Sequence, residues 1–119
     1  MHKILVYVAF SWLTLSGALH FAIDVVSQYL RGKRAPGPET TLYFGLNTAY
    51  ALGQVAFGIL ALLVARQALD LLSQWPAVSL CLAAALSWLI FGFVFLEYWE
   101  PRVAAGVFGV LLVAAILTR

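Results

Sequence analysis

SGALHFAIDVVSQYL, residues 16–30, ends the first long apolar run of the chain and carries His20 and Asp24 four residues apart. On a helix that spacing sets one side chain above the other. An ion at the centre of a bilayer costs about 2.5–3.5 kcal/mol, so a polar pair in so apolar a setting needs partners or a purpose. Whether the surroundings are lipid or a soluble core decides the fold.

Composition points to lipid. The 119 residues are 64% hydrophobic and 10% charged, with a mean hydropathy of +0.97. Soluble domains carry about 45–50% apolar and about 25% charged residues. A chain this short exposes much of its surface and cannot hide that much apolar area from water. A bilayer removes the difficulty by serving as the apolar solvent. The net charge of +2 brings no basic tail, so no nucleic-acid partner is expected. The single cysteine, Cys81, excludes an intrachain disulfide and every paired-cysteine motif. Met1-His2-Lys3 and the run behind it imitate a signal peptide, but the run extends too far, and an uncleaved first helix is expected.

Four segments are long enough to span, near 4–30, 39–65, 76–99 and 101–118. They are continuously apolar rather than alternating, which sets aside a β-barrel. Pro38, Pro76 and Pro101 stand where helices 2, 3 and 4 begin, at positions that need no backbone N–H. Glu39 follows in a first turn, where a carboxylate suits the positive helix end. The short polar connection RGKRAPGP, 31–38, makes helices 1 and 2 antiparallel neighbours. The expected fold is all-α: one polytopic membrane domain over 1–119, a four-helix antiparallel transmembrane bundle.

Between helices 2 and 3, RQALDLLSQW (66–75) sets Arg66, Gln67, Asp70, Ser73 and Gln74 against Leu69, Leu71, Leu72 and Trp75. This reads as an amphipathic interfacial segment or an emergent end of helix 2. Tyr7, Trp12 and Trp75 mark one water boundary; Tyr29, Tyr43, Tyr98 and Trp99 mark the other. The cluster Arg31, Lys33 and Arg34 places the first connection inside and both termini on the non-cytoplasmic side of a bacterial inner membrane.

The polar residues fall on two stripes. Helix 1 carries Gly17, His20, Asp24, Ser27 and Gln28; helix 2 carries Tyr43, Asn47, Tyr50 and Gln54. Counting outward from the 31–38 turn pairs Asp24 with Asn47, His20 with Tyr50 and Ser16 with Gln54. Helix 3 brings Trp88 to the depth of His20 and Glu97 near the turn-side boundary. The expected site lies between helices 1, 2 and 3 and comprises His20, Asp24, Asn47, Tyr50, Gln54, Trp88 and Glu97. The same ladder could instead zip helix 1 to helix 2, at about 0.6 kcal/mol per hydrogen bond. EYWEPR (97–102) reads as an interfacial turn in which Glu100 caps helix 4 and Arg102 meets a headgroup or a carboxylate.

No nucleophile–base arrangement or phosphate loop argues for an enzyme. His20 and Asp24 fall short of the three or four ligands of a zinc site, with no second histidine at their depth, so neither metal nor haem is expected. The size and four-span plan resemble small multidrug exporters, without their central glutamate in helix 1. The plan also resembles the DoxX-like group of small four-helix bacterial membrane proteins, which implies an association with quinone-linked oxidation. The expected function is binding or translocation of a small amphiphile, such as a lipid or quinone, at the polar site. The alternative is an accessory subunit of a membrane redox or other complex, with the stripe serving packing. Gly106 and Gly109 on helix 4 would allow close approach of a second copy or another subunit.

Overall fold

The computed structural model describes residues Met1–Arg119. It is 87% helix, without strands, and has four helices long and apolar enough to cross a membrane. Helix α1 spans His2–Leu30, α2 Pro38–Ala68, α3 Trp75–Phe95 and α4 Glu100–Leu117. Prolines occupy the first turns of α2, α3 and α4, where no intrahelical donor is lost. Gly32, with φ of 59°, makes the left-handed step that ends α1 and starts the connection.

One aromatic side chain from each helix closes a ring at the centre of the bundle. Phe10 of α1 lies 6.3 Å from Phe57 of α2 and 5.6 Å from Phe108 of α4, centroid to centroid. Trp88 of α3 completes the ring, 5.4 Å from Phe57 and 6.2 Å from Phe108. Val6, Ala9, Leu13, Ala61, Ala85 and Leu112 fill the space around it. Helices α1 and α2 approach most closely at glycines. A Cβ on Gly17 would lie 2.9 Å from that of Gln54, and one on Gly58 would collide with Thr14.

Polar contacts tie the termini together. His2 Nδ1 donates to the Ala115 carbonyl at 2.6 Å, and its Nε2 accepts from Ser73 Oγ at 3.0 Å. Arg119 donates to the Ser73 carbonyl at 2.7 Å and sits over the Trp75 ring. The start of α1 is therefore beside the end of α4.

The structure departs from the sequence reading in four places. Residues 66–75 form no amphipathic helix of their own and follow the other expectation, an emergent end of helix 2. Helix α2 runs on to Ala68, whose φ of −152° and ψ of 65° break the register, and Leu69–Ser73 is a 3₁₀ turn. Leu69 and Leu72 pack on the core, so the segment is a buttressed corner. Helix α3 ends at Phe95, short of the expected 99, because Arg102 takes its last carbonyls: Nη2 donates to Leu96 at 3.0 Å and Nε to Gly92 at 3.3 Å. Arg102 thus meets backbone carbonyls, rather than the headgroup or carboxylate expected of it. Glu100 lies in the first turn of α4 but makes no capping hydrogen bond. Finally, α1 is not α-helical throughout; Phe21–Ser27 winds as a π-helix around Asp24. Such segments are rare and are often found at functional sites.

Candidate functional site

The site begins with His20, the last residue of α1 before the π-helical segment and 8% exposed. Its Nδ1 lies 3.0 Å from Asp24 Oδ2 and its Nε2 lies 2.8 Å from Asn47 Oδ1. Asn47 is buried and its Nδ2 donates to the Tyr43 carbonyl at 2.9 Å. A backbone carbonyl can only accept, so this bond fixes the amide orientation. Oδ1 is then the atom that faces the imidazole, and Nε2 must carry a hydrogen.

Nδ1 faces a carboxylate oxygen of Asp24, one turn along the helix, and the contact is an ion pair when the imidazole is protonated.

Tyr50 packs its ring 5.0 Å from the imidazole and stacks on Phe91 at 5.1 Å. It is 5% exposed, and its hydroxyl makes no close hydrogen bond within the protein, Gln54 being the side chain near enough to influence it. Buried hydroxyls are nearly always paired, so the group is an open hydrogen-bonding position. Gln54, 2% exposed, completes the α2 side of the site one turn further along.

These residues bound a cavity of about 320 Å³. His20, Asp24, Tyr50, Gln54 and Ser16 form its polar side. Trp12, Leu19, Ile23, Trp99, Glu100 and Val103 form most of the rest. Leu19 and Ile23 are each 60% exposed and Val103 is 50% exposed, so the rim is apolar and faces outward. Trp12 braces the wall, its indole N–H donating to the Ala104 carbonyl at 2.9 Å.

The structure brings His20, Asp24, Asn47, Tyr50 and Gln54 together and separates Trp88 and Glu97 from them. Trp88 belongs to the aromatic ring of the core. Glu97 is exposed and lines a different cleft, of about 140 Å³, with Arg34, Tyr43, Asn47 and Tyr98. There the Arg34 guanidinium lies 3.4 Å from the Tyr43 ring centroid, and the two tyrosine hydroxyls are 3.2 Å apart. Asn47 lines this second cleft and bonds His20, which lines the first.

The third wall of the main cavity is α4, where the sequence reading expected α3. At 18 residues against 29, α4 reaches about 27 Å along a partner about 43 Å long. It can match only one end of α1, and the His2–Ala115 bond makes that the amino-terminal end. Its first turn therefore falls partway along α1, beside the polar pair. Ser16, Trp12, Trp99 and Glu100 were missed as wall residues for that reason. The unequal lengths, together with Pro101, were the signal that could have found them. No group of three His, Cys, Asp or Glu side chains comes together anywhere in the chain.

Comparison of the chain with protein-family models, with curated proteins and with solved structures finds no match.

Proposed function

We propose that the protein is an integral membrane protein whose four helices cross the bilayer in alternating directions, and that it binds or translocates a small amphiphilic molecule in the α1–α2–α4 cavity. The membrane reading is supported by the four apolar helices and by burial: only 23 of 119 residues are buried, and large apolar side chains are exposed along every helix. Alternation is supported by the His2–Ala115 and Trp12–Ala104 bonds, which set α1 and α4 head to tail.

The observation that carries the function is the two-sided cavity. Its inner side offers the His20–Asp24 pair and a buried hydroxyl without a close hydrogen bond; its outer rim is apolar and opens sideways. About 320 Å³ is within the usual size of a small-molecule site, and such sites pair an apolar wall with a few fixed polar groups. A rim of Leu19, Ile23 and Val103 would open into lipid, so a ligand would enter from the bilayer with its polar end turned inward.

The test is native mass spectrometry of protein released from mild detergent, comparing wild type with Tyr50→Phe. The phenylalanine keeps the stack on Phe91 and removes only the unpartnered hydroxyl. A retained molecule of defined mass, diminished in the variant, supports the reading. A bare chain in both proteins overturns it and leaves the polar ladder as packing. The same spectrum counts chains in the assembly.

A further inference from the structure

The second cleft is built where two connections meet at one end of the bundle. Arg34 comes from the connection between α1 and α2, Tyr43 from the second turn of α2, and Leu96, Glu97 and Tyr98 from the connection between α3 and α4. The Arg34 guanidinium lies over the Tyr43 ring, and a stacked guanidinium keeps its N–H edges for donation. Those edges are almost unused. The one hydrogen bond of Arg34 is the long donation from Nη2 to the Tyr98 hydroxyl at 3.4 Å, and its buried Nε has no partner. No carboxylate pairs with it; the one acid–base contact in the chain is that of His20 with Asp24. The Tyr43 and Tyr98 hydroxyls share a single contact at 3.2 Å, which uses one of their two hydrogens and leaves the other without an acceptor. Buried donors are nearly always paired, so this set of donors calls for an anion. Glu97, exposed at the mouth of the same cleft, pairs with no cation.

We propose that this cleft holds the headgroup of a zwitterionic phospholipid, with the phosphate on Arg34 and the free tyrosine hydroxyl and the ammonium on Glu97. The inference rests on the membrane reading and is independent of the α1–α2–α4 cavity. In a bilayer the 31–38 connection lies at the level of the headgroups, where tyrosines are also enriched. A guanidinium fork matches phosphate oxygens with parallel N–H donors. A plain anion would be repelled by the Glu97 carboxylate in the same cleft. A headgroup that carries its own ammonium turns that carboxylate into a partner. The volume fits as well. A water takes about 30 Å³ of liquid, so about 140 Å³ suits a headgroup and leaves the acyl chains outside. Leu46 and Phe95 line the cleft and are exposed, which gives those chains an apolar path into the bilayer.

The experiment is a lipid titration of the full-length protein in detergent, read by native mass spectrometry, with phosphatidylethanolamine and phosphatidylglycerol of matched acyl chains. The second lipid carries the phosphate without the ammonium. The expected result is that the ethanolamine lipid binds at least about tenfold tighter. Glu97→Gln, at an exposed position that leaves folding intact, should erase that preference. Arg34→Gln should weaken both lipids about tenfold, and Tyr50→Phe, in the other cavity, should change neither. Equal binding of the two lipids, or a preference that survives Glu97→Gln, overturns the inference. Binding that falls with Tyr50→Phe and not with Arg34→Gln overturns it too, and leaves the α1–α2–α4 cavity as the ligand site. Soluble phosphoethanolamine that displaces the lipid at equal concentration overturns the lipid as the source of the headgroup. The membrane reading is checked apart from these: protein reconstituted in vesicles should stay with them through an alkaline wash, and its release would overturn that reading itself.

Discussion

His20 shows how a few hydrogen bonds assign chemistry. Asn47 is held by a backbone carbonyl, Nε2 is held by Asn47, and Nδ1 is left to face Asp24 at 3.0 Å. Asn47→Ala removes the acceptor and should lower stability by about 1 kcal/mol, within the range for hydrogen bonds between membrane helices. Thermal unfolding in detergent, followed by circular dichroism, measures this. Tyr50→Phe should behave differently. It deletes a hydroxyl that makes no close hydrogen bond in the protein, so the melting temperature should hold or rise while ligand retention falls. A fall in stability of Asn47 size would mean that the hydroxyl serves packing after all. The pairing of His20 with residues of helix 2 was legible because two stripes at helical spacing can be counted from a short turn. The orphaned hydroxyl was not, since a sequence places a side chain at a depth without saying which atoms it meets.

Glycine and arginine set the close approaches between elements. A methyl group on Gly17 would meet Gln54 at 2.9 Å and the Ala51 carbonyl at 3.2 Å. Gly17→Ala should therefore cost about 1–3 kcal/mol through overpacking. Gly53→Ala, with nothing within 4 Å, should be neutral or stabilising by up to about 1 kcal/mol on helix propensity. Parallel denaturation of the two variants checks the contrast. Arg102 acts between α3 and α4 by donating to the carbonyls of Gly92 and Leu96. Arg102→Ala should leave them unpaired, cost about 1–3 kcal/mol and fray the end of α3. Hydrogen exchange at residues 92–99 reports it. Arg102 was expected to meet a headgroup or a carboxylate because EYWEPR is polar and interfacial by composition. That α3 stops early to meet Arg102 depends on where α4 returns.

At the scale of the whole molecule, stability is concentrated in one place. Phe10, Phe57, Trp88 and Phe108 link all four helices through a single ring of aromatic contacts. Phe108, fully buried, should cost about 3–5 kcal/mol when cut to alanine. Leu60→Ala, at 62% exposure, should stay within about 0.5 kcal/mol. Unfolding midpoints of the two proteins test the contrast. If Leu60→Ala matched Phe108→Ala, the outer faces would be covered in the working assembly, and the chain count in the native spectrum would have to exceed one. The cavity lies off this ring, at the level where α4 begins. Variants at the two places should add independently, because separated sites without shared partners do so.

Local chemistry sufficed for the helices. Apolar runs of span length, prolines at their starts and a short polar connection after residue 30 determine four helices, because each signal acts within a turn or two of where it is written. Helical periodicity likewise gathers His20, Asp24, Asn47, Tyr50 and Gln54 onto facing stripes. Which helix closes the cavity was decided only by tertiary structure. The offset between an 18-residue α4 and a 29-residue α1 depends on the clasp of His2, Ala115 and Ser73, residues from the two ends and the middle of the chain. The same offset sends Trp88 to the core and brings Glu100 to the His20–Asp24 pair, because lateral position among packed helices follows from side-chain fit across the whole bundle, which no single segment encodes.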